Sequence, residues 1–294
     1  MEENSIRDVL ISLGLCDDNS IEEFYPSVRD KDGVSVLRCR RSGIIFLNKT
    51  SHIDLEYFRS KKSYEYWSST GRKETVMGNL EDDTRRAESF KHLIAGKKWL
   101  DIGTGCGGML DILAPLSLSC AAVEPQEHAR AELIKSGYNV YPDISQITEN
   151  NFDVITMFHV FEHLTDPIAT LNFLFKKMAT GGRLIIEVPH ARDFLISFLC
   201  LDSFLKFTFR SDHLILHTRE SLASFIKEAG FANIIINGYQ RYPLANHLYW
   251  LNNGKPGGHL KWSPLRNPEI DSAYSNLLNN IDKTDTLIAS AEKQ

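Results

Sequence analysis

The sequence has few of the features that mark several large classes of protein. Its five cysteines are scattered without a C-x-x-C pair, which indicates reduced thiols in a cytoplasmic protein rather than a disulfide framework. Lys and Arg total 33 against 38 Asp and Glu, so the net charge of -5 gives no electrostatic reason to expect a nucleic-acid partner, which would favour a basic surface. The longest apolar region, 194–209, contains Asp202 and Lys206 and is too short to span a bilayer. No cationic segment followed by an apolar one opens the chain, so no signal peptide is predicted.

From Lys97 onward, short apolar and β-branched runs alternate with helical patterns that end at glycine or proline. The predicted strands are 99–102, 120–123, 138–141, 152–158, 183–188 and 231–237. Strands that alternate with helices indicate an α/β, Rossmann-like, doubly wound sheet that is covered on both faces. We expect residues 1–95 to form a cap or lid, 96–240 the core, and 241–294 a C-terminal extension of helices and loops.

Residues 159–163, His-Val-Phe-Glu-His, match the H-x-x-E-H pattern of a zinc peptidase. In that pattern His159 and His163 would bind the metal and Glu162 would act as the base. Both histidines would then have to share one face of a helix, but His159 directly follows the predicted strand 152–158. The next helix begins near Pro167, so this segment is expected at the carboxyl end of a strand. Open α/β sheets bind ligands at that edge, which favours a ligand-binding loop over a zinc site.

A glycine-rich loop follows the first predicted strand of the core. Residues 103–108, Gly-Thr-Gly-Cys-Gly-Gly, satisfy a nucleotide-binding fingerprint that alone does not distinguish one ligand from another. Glu124, at the end of the second strand, is placed to bind ribose hydroxyls. Asp101 discriminates, because a carboxylate at the tip of the first strand would repel a pyrophosphate and attract a cation. The two acids therefore favour S-adenosylmethionine, which carries positive charge and no phosphate, over NAD.

Together these segments resemble the class I S-adenosylmethionine-dependent methyltransferases. The residues that carry the resemblance are the sequence from Asp101 to Gly107, Glu124-Pro125, Phe152-Asp-Val-Ile, and Glu162-His-Leu followed by Asp166-Pro167. The Glu-His-Leu signature is similar to that of the ubiquinone-pathway O-methyltransferases and of many sugar methyltransferases. The likeness covers residues 80 to about 240 and implies a seven-stranded sheet with an antiparallel last strand.

The resemblance also implies which residues bind the cofactor. Asp101 and the loop that contains Gly103, Thr104, Gly105 and Gly107 would hold the methionyl part, Glu124 with Pro125 the ribose, and Asp143 the adenine amino group; Phe158 and His159 would lie beneath the sulfonium. Asp143 could instead be a turn residue after Pro142. Glu162 and His163 would organise the loop, or one of them could touch the substrate.

An alcohol acceptor needs a base, and histidine suits that role near neutral pH. The candidates are His159, His190, His213 and His217. Related sugar-type sequences carry a histidine about five residues before the cap of the next helix, which is the place of His213 relative to Thr218. We therefore predict His213 first and His190 second as the catalytic base.

The segments outside the core motifs suggest how an acceptor is enclosed. The phenylalanine-rich insertion, about 191–216, is expected to form an acceptor lid, or to bind an isoprenoid tail or a membrane surface. Arg241 or Lys255 could meet a phosphate. Apolar residues from Ile270 to Ile288 recur at helical spacing and should pack on the core or on a second subunit of a homodimer. Cys39 has Ser42 where a second zinc ligand would stand, so no metal is expected.

The sequence therefore predicts an S-adenosylmethionine-dependent O-methyltransferase that acts on a small-molecule or glycan acceptor. We expect a sugar hydroxyl, in a nucleotide-linked sugar or a surface glycan. A quinone or other phenolic lipid is the alternative within the same class of enzyme. A non-catalytic cofactor-binding protein and an NAD-dependent Rossmann enzyme are the alternatives from other classes.

Overall fold

The computed structural model describes residues 5–59 and 72–294. In chain order its strands are β1 (Ile21–Tyr25), β2 (Val36–Cys39), β3 (Ile45–Leu47), β4 (Lys98–Ile102), β5 (Ser119–Val123), β6 (Val140–Tyr141), β7 (Phe152–Phe158), β8 (Met178–Pro189), β9 (Ile215–Leu216), β10 (Ala232–Tyr239) and β11 (Thr286–Glu292). The α-helices are α1 (Ser5–Ser12), α2 (Leu55–Arg59), α3 (Arg72–Ile94), α4 (Gly108–Leu113), α5 (Glu127–Lys135), α6 (Pro167–Lys177), α7 (Asp202–Thr208), α8 (Arg219–Glu228), α9 (Leu244–Asn253), α10 (Gly258–Lys261) and α11 (Pro268–Asn280). A short π-helix, Phe194–Phe198, precedes α7.

The main sheet has seven strands in the order β10-β11-β8-β7-β4-β5-β6. The strands from β8 to β6 run parallel, whereas β11 is antiparallel to both β8 and β10. In β4, all residues after Lys98 are buried, as expected of a parallel strand covered on both faces. This arrangement confirms the predicted Rossmann-like seven-stranded sheet with an antiparallel last strand.

The last strand lies in the segment that the sequence assigned to a C-terminal extension. β11 lies between β8 and β10, so the seven-stranded sheet needs residues Thr286–Glu292 as well as the predicted core 96–240. The predicted helical pattern from Ile270 holds only as far as Asn280, and Ile288 belongs to β11. A short apolar run does not by itself distinguish a buried strand from a helix turn, and here the two neighbouring strands decide it.

A second, four-stranded sheet has the order β1-β2-β3-β9. The strands β1, β2 and β3 belong to the predicted N-terminal cap, and β9 comes from the insertion at 191–216. The sheet therefore joins the N-terminal cap to the insertion, and Leu47 N donates to Leu214 O at 3.0 Å between them. Residues 60–71 of the predicted cap lie outside the described residues.

The carboxyl ends of the parallel strands meet at one edge of the main sheet. Asp101 is the last residue but one of β4, and Phe158 is the last residue of β7. Glu124 directly follows β5, and Asp143 lies two residues after β6. Chain segments far apart in sequence are thus brought to one edge, where open α/β sheets bind ligands. Over residues 5–59 and 72–294, we find no helix whose length and hydropathy would let it cross a bilayer.

Candidate active site

A cavity of about 720 Å³ opens along this edge of the sheet. Ligand pockets commonly have volumes of about 300 to 1,000 Å³, so it is large enough for a cofactor with part of a second ligand. All ten predicted cofactor residues line it: Asp101, Gly103, Thr104, Gly105, Gly107, Glu124, Pro125, Asp143, Phe158 and His159. The cap contributes Ile53, Leu55 and Phe58, and the insertion contributes Phe207.

The glycine loop brings bare backbone to the wall of the cavity. Gly103 has φ +70°, and a Cβ atom there would lie 2.3 Å from Val160 Cγ2. Gly105 has φ +58°, and its Cβ would meet nothing within 4 Å. The first glycine is therefore required by packing, while the second leaves space that a ligand can fill.

Two buried carboxylates flank the loop. Asp101 Oδ1 accepts from Thr156 Oγ1 at 2.6 Å, and Thr156 in turn accepts from Trp99 Nε1 at 2.9 Å. Glu124 accepts from the backbone N–H groups of Gly105 and Gln126, at 2.8 and 2.9 Å. Both carboxylates are thus oriented by their own neighbours before any ligand arrives.

Burial changes the acidity of these two carboxyl groups. It raises the pKa of Asp101 to about 6, although hydrogen bonds from Thr156 and Thr104 oppose the shift. It raises the pKa of Glu124 to about 7, against the opposing backbone hydrogen bonds. Neither carboxylate has a salt-bridge partner among the described residues. A bound cation or hydroxyl group would therefore stabilise their ionised forms.

Asp143 and Phe158 line the cavity next to these acids. Asp143 Oδ1 accepts from Ser145 N at 2.6 Å and so caps the 3-10 helix Ile144–Gln146. Asp143 therefore acts as the turn residue that the sequence offered as an alternative, and this role uses only one of its two carboxylate oxygens. Phe158 stacks on Phe90 with ring centroids 5.6 Å apart, which makes it a fixed part of the cavity wall.

His159 has φ +55° and is held by side chains from three parts of the chain. Its Nε2 lies 3.0 Å from Arg241 Nη1 and 3.3 Å from Glu187 Oε1, and its Nδ1 faces Glu162 Oε1 at 3.2 Å. Arg241 also pairs with Asp82 of α3. Its charge is therefore neutralised within the protein, which argues against the predicted phosphate contact.

Beneath this histidine, Glu187 of β8 is fully buried. It accepts from Arg85 at 2.9 Å and from Arg86 at 2.7 Å, both on α3. Against the effect of burial, His159 and Arg86 hold the pKa of Glu187 well below its usual range. Sequence reasoning missed this group, although a single acid in the apolar run Leu-Ile-Ile-Glu-Val was a visible signal.

The two histidines predicted as catalytic bases lie in different surroundings in the structure. His213 lines the cavity, with its ring centroid 5.0 Å from that of His163. His190 does not line it: the ring is fully buried, and Nδ1 donates to Thr284 O at 2.9 Å. His217 is buried against Phe161 and Phe225. The structure therefore gives no support to His190 as the base, because its ring is enclosed by the protein and lies outside the cavity lining.

A comparison with known protein families gives the same assignment as the glycine loop, the acid pair and the sheet order. A family model described as a methyltransferase domain matches residues 77–235, more than half of the chain. The chain belongs to this methyltransferase family. It is an enzyme that uses S-adenosylmethionine as its methyl donor, as the resemblance implied.

Curated relatives and solved structures agree with this assignment of the methyltransferase. It is similar to the ubiquinone biosynthesis O-methyltransferase of Psychrobacter cryohalolentis, with 25% identity over 65% of this chain and 86% of the relative. For the protein of the same name from Pseudomonas aeruginosa, the identity is 27% over 54% of this chain and 75% of the relative.

Among solved structures, an S-adenosylmethionine-dependent methyltransferase from Archaeoglobus fulgidus has the same fold. The TM-score is 0.50 at 15% identity, covering 78% of this chain and 98% of that one. The phosphoethanolamine N-methyltransferase 2 of Haemonchus contortus, solved with S-adenosyl-L-methionine, also has a TM-score of 0.50. Its sequence is 14% identical to this one, and the structural match covers 100% of this chain and 74% of the Haemonchus chain.

The packing of the glycine-rich loop of the methyltransferase can be tested by measuring protein stability, without any ligand. Gly103→Ala should lower the free energy of unfolding by about 3 kcal/mol, because the new methyl combines backbone strain with a collision against Val160. Gly105→Ala is the matched control, with similar strain but no collision, and should cost about 1 kcal/mol. Urea denaturation without ligand measures both. Equal losses in the two variants would show that Val160 does not confine the loop.

Proposed function

We propose that the enzyme methylates a phenolic hydroxyl group, such as that of a quinone precursor. The observation that carries this proposal is the composition of the cavity beyond the glycine loop, where Ile53, Phe58 and Phe207 provide an apolar and aromatic wall. His213 lies in the same lining. The curated relatives are named as ubiquinone biosynthesis O-methyltransferases, which favours a phenol over the sugar hydroxyl that we expected from the sequence.

The cofactor is proposed to lie across the carboxyl ends of β4 to β7. Asp101 and the glycine loop hold the methionyl part, with the carboxylate opposite the positive charge. Glu124 accepts hydrogen bonds from the ribose hydroxyls, and Asp143 faces the adenine. Phe158 and His159 form the floor beneath the sulfonium. The open space at Gly105 and the two buried carboxylates without ion-pair partners support this arrangement.

The reaction is a displacement at the methyl carbon. The acceptor hydroxyl loses its proton to His213 as its oxygen forms a bond to the methyl carbon. The carbon–sulfur bond breaks, its electron pair returns to sulfur, and S-adenosylhomocysteine leaves. Because the donor is already activated by positive sulfur, the protein contributes mainly alignment and the removal of one proton.

The acceptor class is tested with a panel of hydroxylated compounds. The protein is incubated with isotopically labelled S-adenosylmethionine and either catechols, prenylated phenols or sugar nucleotides, and products are identified by mass spectrometry. We expect labelled methyl ethers from phenols and none from sugars. Methylated sugar nucleotides would reject the phenolic assignment. Binding of S-adenosylmethionine without any product from a broad panel would favour a non-catalytic protein.

Cofactor binding is expected to weaken as the pH falls. A ribose hydroxyl donates to ionised Glu124, whose pKa is about 7 in the free protein. Lowering the pH from 8 to 5.5 protonates that carboxyl group before binding, and the Kd for S-adenosylhomocysteine should rise roughly 10-fold or more. Calorimetry across this range measures the change.

The charged groups that face the two acids are Arg130 and Asp101 for Glu124, and Arg86 and Asp83 for Asp101. Glu124→Gln should flatten the upper part of the pH profile, because the amide does not titrate. A Kd that stays constant from pH 8 to 5.5 in the wild-type protein would show that ionised Glu124 does not contact the ligand.

A further inference from the structure

Three side chains at the cavity form a cluster that the proposed reaction does not fully explain. Glu162, His163 and His213 each offer one oxygen or nitrogen atom, and these atoms all lie within 4.8 Å of one another. All three residues line the cavity. Two imidazoles and one carboxylate are a common ligand set for divalent transition metals, with further positions left open.

The first imidazole is already set in the tautomer that a metal requires. His163 Nδ1 lies 2.5 Å from Asp212 O, and a carbonyl oxygen only accepts, so Nδ1 carries the proton. The lone pair of Nε2 is then free to bind a cation. A carbonyl oxygen that accepts from the other ring nitrogen is the usual means by which a ligating histidine is oriented.

The carboxylate has an unused oxygen. Glu162 is fully buried; Oε1 faces His159, while Oε2 has no hydrogen-bond partner in the structure. A buried carboxylate oxygen without a partner is costly unless something else satisfies it. A cation between Glu162 and the two imidazoles would do so.

The backbone holds the distant ligand in place. His213 is 50 residues away from His163 in sequence, yet Leu214 N donates to Glu162 O at 2.9 Å. This bond and the one from His163 to Asp212 tie the segment after the insertion to the segment after β7. Ligand atoms about 2.1 Å from one cation lie at most about 4.2 Å apart, so small side-chain rotations would complete the site.

We propose that Glu162, His163 and His213 bind a divalent transition-metal ion such as zinc at the wall of the acceptor cavity. The site departs from the H-x-x-E-H interpretation, because Arg241 engages His159 and His213 takes its place. It also departs from the sequence-based expectation of no metal, which rested on Cys39 and Ser42 in the cap.

The consequence for catalysis rests on the proposed function. A cation held by Glu162, His163 and His213 would supply positive charge beside the acceptor hydroxyl and would ease the loss of its proton to solvent. His213 would then act as a metal ligand rather than as the base, and methyl transfer from sulfur would otherwise follow the proposed reaction.

The test uses the metal alone, without cofactor or acceptor. The full chain is freed of metal with a chelator and titrated with Zn²⁺ by calorimetry and with Co²⁺ by visible spectroscopy. We expect one ion per chain with a Kd below micromolar and Co²⁺ bands typical of nitrogen and oxygen ligands. His163→Gln, His213→Gln and Glu162→Gln should each weaken binding by roughly 100-fold.

His92→Gln, an exposed histidine of α3, is the matched control and should bind as the wild type does. Circular dichroism confirms that each variant is folded, and the wild-type titration stands without any variant. Absence of a stoichiometric site in the wild type, or equal affinity in the three ligand variants, would overturn the proposal. Phenol methylation by metal-free protein would then leave the proposed function intact, whereas metal binding without any methylated product would contradict only the proposed function.

Discussion

Replacing His213 with asparagine is expected to lower the rate of methyl transfer by roughly 100- to 10,000-fold, the usual contribution of a positioned base. His213 lines the cavity beside His163, and burial lowers its pKa to about 4, so the ring is neutral at physiological pH. The loss arises whether the ring takes the proton itself or holds a cation that favours its departure. The effect is measured as the single-turnover rate of methyl transfer to a phenol that the wild-type protein methylates.

A series of phenols of decreasing pKa makes this test more specific. A phenol that is already ionised needs little help to lose its proton, so the deficit of His213→Asn should shrink as the acceptor becomes more acidic. The affinity for S-adenosylhomocysteine should be unchanged, and His92→Asn should behave as the wild type. A deficit of the same size with every phenol would place His213 in acceptor binding rather than in proton removal.

Replacing Glu124 with alanine is expected to weaken the binding of S-adenosylhomocysteine by roughly 100-fold or more. Two hydrogen bonds from ribose hydroxyls to a carboxylate contribute about 1.5 to 3 kcal/mol each, and alanine loses both. The carboxylate is buried and accepts from Gly105 N and Gln126 N, so it is fixed at the end of β5 before the ligand arrives. Little ordering is therefore required on binding. Calorimetry at pH 8, where the wild-type carboxyl group is ionised, measures the loss.

Two further variants separate recognition from damage to the loop. Glu124→Gln keeps the size of the side chain and one oxygen acceptor, so its loss should be smaller than that of alanine. Glu127→Ala removes an exposed acid one turn away on α5 and should leave the Kd unchanged. Wild-type binding of NAD in place of S-adenosylhomocysteine, or an unaltered Kd in Glu124→Ala, would show that the acid pair does not select a phosphate-free nucleoside.

The cofactor half of the cavity was predicted from the sequence because its signals are local. Asp101 near the end of one strand, a glycine loop directly after that strand and an acid at the end of the next strand all lie within 25 residues of sequence. Parallel strands place their carboxyl ends at one edge whatever the rest of the chain does, so the positions of Glu124 and Phe158 followed from strand order alone.

The acceptor half depended on contacts that no local pattern shows. His190 follows a strand at the correct edge, but its ring is buried and donates to Thr284 O, a residue 94 positions further along the chain. His213 reaches the cavity because the insertion returns through β9, which pairs with β3 of the cap. Arg241 meets Asp82 across 159 residues of sequence, which the spacing of charges did not indicate.

By itself, the sequence determined the Rossmann-like sheet and the methyl donor, through strand periodicity, the glycine loop and the sign of two charges, each of which acts over a few residues. Its resemblance to known methyltransferases implied the ten residues that line the cavity around the glycine loop and the neighbouring strand ends. Only the tertiary structure decided which histidine faces the cavity, where the seventh strand comes from, and that Glu162, His163 and His213 converge. Those outcomes depend on pairing between segments about 50 to 110 residues apart, since β11 joins β8 and Leu214 N donates to Glu162 O only when the whole chain has folded.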